Sequence, residues 1–123
     1  MNGSKLLVDT NVVLFFLQGN DDLTRLFSDY DIAVSFISEL ELLSFGQISP
    51  EDEQVILSFL RHVQIFDISP DIKRQTIAVR KVSKLKLPDA IIVATAISQD
   101  LPFLTSDKGF SRVTDPRILL YEL

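Results

Sequence analysis

The chain has 123 residues, a length that suits a single domain over residues 1–123 with its own hydrophobic core. A hydrophobic content of 46% excludes a disordered chain, and the absence of cysteine excludes disulfide scaffolds, thiolate metal sites and thiol nucleophiles. The net charge of −5 by itself disfavours a nucleic-acid partner, and the single histidine, His62, leaves no multi-histidine metal site.

The first half of the chain predicts two short strands, each followed by helices. Lys5–Val8 is typical of a short buried strand, and Ile32–Val34 predicts a second one. We expect helices over three stretches: Thr10–Leu17, Asp21–Ser28 and Ser35–Phe45. Gly46 supplies the expected end of the last helix.

Clearer helix starts mark the second half. Ser49-Pro50-Glu51-Asp52 combines an N-cap residue, a proline and first-turn acids, and predicts a helix to about Arg61. Ser69-Pro70-Asp71 repeats that signal for a long helix to about Leu85. A further helix is expected from Pro88 to about Ser98. The remaining strand candidates are Val63–Ile68, Phe103–Thr105 and, at the end, Ile118–Leu123.

The order of these elements indicates the fold class. Each of the first three strands is followed by two helices before the next strand begins. Such alternation favours a mainly parallel sheet of about four to five strands between two helical layers, a three-layer α/β/α sandwich. In sheets of this kind ligands bind at the carboxyl ends of the strands.

The N-terminal stretch does not resemble a targeting segment. Asp9 interrupts it where a signal peptide needs its apolar run. The longest uncharged run, Thr10–Asn20, is shorter than the ~20 residues that span a bilayer. We therefore expect a cytoplasmic protein without a membrane partner.

Four acidic residues interrupt segments that otherwise look buried. Asp9 and Asp107 follow predicted strands, Asp89 lies in the first turn of a predicted helix, and Glu41 lies within an apolar helix. Each alone also fits an ordinary turn, a helix cap or a solvated helix face. Together they suggest one pocket of like charge, which a hard cation such as Mg²⁺ or Mn²⁺ would neutralise.

The segments around these acids resemble a known family. LLVDTNVVL, SELELL, LPDAIIVATA and LTSDKGF together are similar to a PIN domain of the VapC toxin type, over nearly the whole chain. The resemblance implies a PIN-like sandwich in which divalent metal is bound by Asp9, Glu41, Asp89 and Asp107. It also implies supporting polar roles for Thr10, Asn11 and Thr105.

The resemblance further implies an activity and partners. Such proteins are metal-dependent endoribonucleases that leave a 5′-phosphate, and they act as toxins of toxin–antitoxin pairs. We therefore expect an RNA substrate and a cognate antitoxin that inserts a peptide across the active site. Apolar residues that could form a homodimer face or an antitoxin groove are Leu14, Phe15, Phe16, Leu17, Phe36, Leu43 and Phe45.

The site differs from the family pattern in one position and leaves a choice at another. Gly109 stands where many relatives carry a further Asp, which bears on the number of metal ions. Glu39 precedes Glu41 by two residues, ~200° around a helix, so only one of the two can face the site. The family register favours Glu41, with Glu39 as the alternative.

Cations are concentrated in one segment. Half of the twelve Lys and Arg residues lie between Asp71 and Asp89, where no acid occurs. They are the candidates for RNA phosphate contacts, although for any single one of them a solvated helix face is the favoured interpretation: Lys73, Arg74, Arg80, Lys81, Lys84 and Lys86.

Three other interpretations are open. A PIN fold that binds without cutting is compatible with the change at Gly109. A phosphoacceptor receiver domain has a similar length, but Thr10 and Asn11 follow Asp9 where that fold needs a second acid, and Asp67 falls inside a predicted strand. A structural α/β subunit without a site leaves the apolar setting of Asp9 and Asp89 unexplained.

Overall fold

A computed structural model describes residues 4–122 of the chain. Within them, five strands alternate with six α-helices and one 3₁₀ segment. The strands are β1 (Lys5–Val8), β2 (Asp31–Ser35), β3 (Gln64–Phe66), β4 (Phe103–Thr105) and β5 (Ile118–Leu120). The helices are α1 (Thr10–Leu17), α2 (Asp21–Asp29), α3 (Phe36–Leu43), α4 (Pro50–Arg61), α5 (Pro70–Val82) and α6 (Leu87–Gln99), and the 3₁₀ segment is Lys108–Arg112.

The strands form one parallel sheet in the order β3-β2-β1-β4-β5. The chain therefore winds outward from β1 to one edge, crosses back to β4 and continues to the other edge. This order excludes the receiver alternative, because receivers have the order 2-1-3-4-5. Asp67 also proves to follow β3 rather than lie inside a strand, but β3 is an edge strand, two positions away from β1.

Alternation within the central strands builds a core on each face of the sheet. Leu6 and Val8 of β1 belong to one core with helices α1 to α4, whereas Leu7 belongs to the other with α5 and α6. Val34 and Ala33 of β2 divide between the two cores in the same way. Burial on both faces explains why β1 carries three consecutive apolar residues, and it confirms the three-layer sandwich.

Serine side chains fix the starts of α4 and α5 as predicted. The Asp52 N–H donates to Ser49 Oγ at 3.0 Å, and the Ile72 N–H donates to Ser69 Oγ at 3.1 Å. Each cap satisfies a backbone N–H that has no partner within the helix. The proline that follows each serine occupies the first turn, where no N–H is needed.

Some predicted ends of helices and strands were wrong. α3 ends at Leu43 rather than Phe45, and Gly46 does not have the left-handed conformation of a helix-ending glycine. α5 ends at Val82 rather than Leu85, because Ser83 becomes extended and Leu85 turns into the core. The strand expected over 63–68 shortens to β3, which pairs only with β2. Of the strand expected over 118–123, the last residue lies outside the described residues.

None of the helices in residues 4–122 is long and apolar enough to cross a membrane.

Candidate metal centre

The candidate site lies at the carboxyl ends of β1 and β4, the two strands between which the winding direction reverses. After β1 the chain leads towards β2, and after β4 it leads towards β5. This divergence opens a crevice at the edge of a parallel sheet. A cleft of about 270 Å³ occupies it, lined by Asp9, Thr10, Asn11, Glu41, Ser44, Phe45, Asp89 and Asp107.

Four acids from separate parts of the chain thus share one cleft, but their burial differs. Asp9 is 6% exposed, Glu41 and Asp89 are half-buried, and Asp107 is exposed. The expectation of four buried settings was therefore right only for Asp9. The side chains of the other three acids are more accessible to solvent.

Asp9 is fixed by two hydrogen bonds at the base of the cleft. Its Oδ1 accepts from the Thr10 N–H at 2.9 Å, and its Oδ2 accepts from the Thr105 hydroxyl at 2.8 Å. Burial raises the pKa of Asp9 from 3.8 to about 6, although these two hydrogen bonds lower it. The charges of Asp89 and Glu41 make a smaller contribution in the same direction, which the value of about 6 includes. Asp9 is therefore held in place at an electrostatic cost.

Thr105 joins two of the acids. Its hydroxyl donates to Asp9 and also accepts a hydrogen bond from the Asp107 N–H at 3.0 Å. Thr105 is completely buried at the end of β4, so it links the β1 and β4 ends of the site. This contact gives the predicted supporting residue a physical role in the fold.

Thr10 performs a similar task on the other side of the cleft. Its Oγ1 lies 2.5 Å from Glu41 Oε1 and 2.9 Å from Ser38 Oγ. Glu41 therefore points into the cleft, whereas Glu39 is not among the residues that line it. The geometry favours Glu41 over Glu39, in agreement with the sequence register.

Ser38 is a residue of this site that sequence reasoning missed. It is completely buried on α3 and contacts the Thr10 hydroxyl. A serine one helical turn before a glutamate in an apolar helix was the available signal, since residues three apart lie on the same face. Ser44 and Phe45, which border the cleft beyond the end of α3, were also missed as site residues.

Asp89 occupies the first turn of α6. Burial raises its pKa above the ordinary value, and the charges of Asp107 and Glu41 add to that effect. Lys86, which precedes the helix, acts in the opposite direction. The four acids thus influence one another across the cleft.

Asp107 also has a structural role. Its Oδ1 accepts a hydrogen bond from the Gly109 N–H at 2.8 Å and so caps the 3₁₀ segment. A Cβ at Gly109 would lie 3.1 Å from that oxygen, so the turn is tight. Asp107 therefore lines the cleft while one of its oxygens holds this turn.

The donor set fits a hard divalent cation. The cleft offers carboxylate oxygens from four side chains, and no ion pair with a Lys or Arg involves any of them within residues 4–122. Within the same residues, no three acids or histidines lie close enough together to hold a metal ion as the side chains stand. Mg²⁺ keeps several water ligands and is often bound through one or two carboxylates, so two of these acids would be enough to hold it.

The six cations predicted to contact RNA lie outside the cleft and divide into distinct settings. Arg74 donates to Asp71 at 3.1 Å, and Lys73 is exposed on α5. A separate groove is lined by Arg80, Lys81 and Lys84. Lys86 lies at the start of α6, near Asp89.

Comparisons with known proteins agree with the fold. The family described as PIN domain matches residues 6–116. A toxin-antitoxin complex from Klebsiella pneumoniae is 32% identical, with a TM-score of 0.82 over 96% of this chain and 99% of that chain. DNA-bound VapBC from Salmonella typhimurium is 21% identical, with a TM-score of 0.81 over 97% and 98% of the two chains.

A further structure shows the same fold. VapBC2 from Rickettsia felis, bound to a DNA fragment from the promoter, is 20% identical, with a TM-score of 0.80 over 97% and 98% of the two chains. At these lower identities the likeness to the Salmonella and Rickettsia proteins is one of fold alone. No curated protein gives a significant match.

Proposed function

The chain belongs to the PIN domain family, and we propose that it is a divalent-metal-dependent endoribonuclease and the toxin of a cytoplasmic toxin–antitoxin pair. One observation carries the proposal. Acids from four separate segments line a single cleft at the reversal point of the sheet, and one of them is buried there despite the cost to its charge.

Each side chain has a proposed role. Asp9 and Asp89 are the central ligands of Mg²⁺ or Mn²⁺, since they come from the base of the cleft and the first turn of α6. Glu41 and Asp107 complete the ligand set or orient a water molecule. The hydroxyls of Thr10 and Thr105 hold the carboxylates in place, as their hydrogen bonds to Glu41 and Asp9 indicate. Asn11, exposed at the cleft, is a further hydrogen-bonding group for the site.

The chemistry follows from this arrangement. A divalent ion, when bound, supplies an acidified water and neutralises charge on the phosphate oxygens of the scissile bond. The carboxylates position that water and the phosphate relative to each other. We assign no side chain as general base. The basic residues of the 73–86 segment provide phosphate contacts that the acidic cleft lacks.

An antitoxin is the proposed protein partner, because the matching Klebsiella structure is a toxin-antitoxin complex. An apolar groove of about 240 Å³ adjoins the cleft through Phe45, which lines both. The groove is also lined by Leu14, Leu17, Ile48, Val55 and Ile56. We place the antitoxin segment there, where it would cover the cleft. We also propose that the protein forms a homodimer, and sedimentation velocity measures its oligomeric state.

The proposal is tested with a mixed RNA pool. The protein should cut RNA when Mg²⁺ or Mn²⁺ is present, leave 5′-phosphate ends, and stop when a chelator is added. Asp89→Asn should abolish the cleavage while the fold is kept, as circular dichroism would report. Glu53→Gln removes an exposed carboxylate of α4 and should cut like the parent.

Two outcomes would contradict this proposal. Cleavage that persists in chelator would exclude a metal-dependent reaction. Cleavage by Asp89→Asn at the parental rate would exclude the assigned site. If no RNA is cut under any condition but RNA is bound, the protein is a non-catalytic PIN module instead.

A further inference from the structure

A basic groove lies beside the C-terminal half of α5 and the link to α6. Its volume is about 630 Å³, and its cationic lining residues are Arg80, Lys81 and Lys84. Ile77 and Leu87 contribute exposed aliphatic surface to the same groove. It is separate from the carboxylate cleft, since the two share no lining residue.

The cations of this groove have no acidic partner. Within the described residues 4–122, no ion pair involves Arg80, Lys81 or Lys84. Arg74, one turn and a half earlier on the same helix, is instead paired with Asp71. Three unpaired cations side by side in a chain of net charge −5 form a local positive field that complements a polyanion.

The groove and the cleft flank the same helical turn. Leu87 lines the groove and Asp89 lines the cleft, and both lie in the first turn of α6. Residues two apart on a helix point to opposite sides, ~200° around the axis. A strand that crosses the start of α6 therefore reaches both places, and Lys86 directly precedes this turn in the chain.

From this juxtaposition we infer that the groove of Arg80, Lys81 and Lys84 holds the phosphate backbone of single-stranded RNA as it leaves the cleft. This assignment rests on the proposed ribonuclease function. It selects three of the six cations of the segment for this groove and leaves out Lys73 and Arg74, whereas Lys86 lies at the start of α6, near Asp89.

The residues that line the groove also determine whether it distinguishes one RNA base from another. No aromatic side chain lines the groove among the described residues, so bases have no stacking platform in it. Ile77 and Leu87 offer only aliphatic contact. Binding in the groove should therefore depend strongly on salt and little on base identity.

The test measures RNA binding rather than cleavage. Fluorescence anisotropy follows a short labelled oligouridylate on the full chain in chelator, from about 50 to 200 mM salt. The groove variant Arg80→Gln, Lys81→Gln, Lys84→Gln should bind more weakly. The slope of log K against log salt should become shallower by about 2, since each phosphate contact on a single strand contributes about 0.7.

A second triple variant is the matched control. Arg25→Gln, Arg61→Gln, Arg112→Gln removes the same number of positive charges from exposed positions outside the groove. Its affinity and salt slope should stay close to those of the parent. An oligocytidylate of equal length should bind the parent with similar affinity.

Three results would overturn the inference: equal losses in both triple variants, no loss in the groove variant, or tighter binding of polyglutamate than of an RNA of equal charge. The last result would make the groove a site for an acidic protein segment. Because the assay contains no divalent metal, its failure is separable from failure of the proposed function. If the parent cleaves RNA in a metal-dependent way but the groove variant binds RNA as tightly as the parent, only the assignment of the groove is contradicted.

Discussion

Replacing Asp9 with asparagine should stabilise the metal-free protein at neutral pH. Asp9 is the buried acid of the cleft, and its pKa of about 6 lies above the ordinary 3.8 because burial disfavours the charged form. Asparagine has no charge to bury. Its Oδ1 can still accept from the Thr10 N–H, and its amide can donate to the Thr105 hydroxyl, which reverses the direction of that hydrogen bond but keeps the two groups paired.

The expected gain follows from the two pKa values. At 1.36 kcal/mol per pH unit, the difference between 3.8 and about 6 corresponds to about 3 kcal/mol above pH 6. Between these pH values the folded state binds more protons than the unfolded state, so the stability of the parent falls as the pH rises. Below pH 3.8 the carboxyl group is protonated in both states, and the advantage of asparagine disappears.

Urea unfolding in chelator, at pH values from about 4 to 8, measures this difference. The free energy of unfolding of Asp9→Asn should exceed that of the parent by about 3 kcal/mol at the upper end and converge with it at the lower end. Glu53→Gln controls for the loss of one negative charge from the surface. A difference that is constant with pH, or a variant less stable than the parent at pH 8, would refute the reasoning.

Two further predictions concern the metal and its support. Mg²⁺ or Mn²⁺ at ~100 times its Kd should add about 2.7 kcal/mol to the free energy of unfolding of the parent, and a thermal-shift titration should show the rise as a higher Tm. Asp89→Asn should show no such rise. A parent protein whose Tm does not respond to either metal would contradict the site. Thr10→Val should keep the fold but weaken Mn²⁺ binding about 10–100-fold by calorimetry, since Glu41 loses its hydroxyl contact. Thr24→Val, an exposed change on α2, is its control, and equal affinity of the two variants would exclude a supporting role for Thr10.

The local elements could be predicted because short-range chemistry fixes them. The Ser-Pro starts of α4 and α5 were correct, since serine oxygen and proline geometry act within one turn. β4 was predicted at Phe103–Thr105 and found there. Helix ends were less accurate, because α5 ends where Leu85 turns into the core, which is a tertiary contact.

The four acids that line the cleft could be named from the sequence, but their arrangement could not. That Asp9 and Asp107 lie at one edge follows from parallel strands, but their proximity depends on β1 pairing with β4, which no local signal specifies. The link from Ser38 through Thr10 to Glu41 likewise depends on how α3 meets α1. Such contacts join residues about thirty positions apart and leave little trace in sequence.

The central claim is that the four carboxylates form one site for a divalent ion, and crystals grown with Mn²⁺ test it most directly. Anomalous scattering should show Mn²⁺ in the cleft, in contact with the carboxylates of Asp9 and Asp89. Crystals of Asp89→Asn grown in the same way should show that peak weakened or lost. An empty cleft at saturating Mn²⁺, or an ion bound only elsewhere on the surface, would contradict the account.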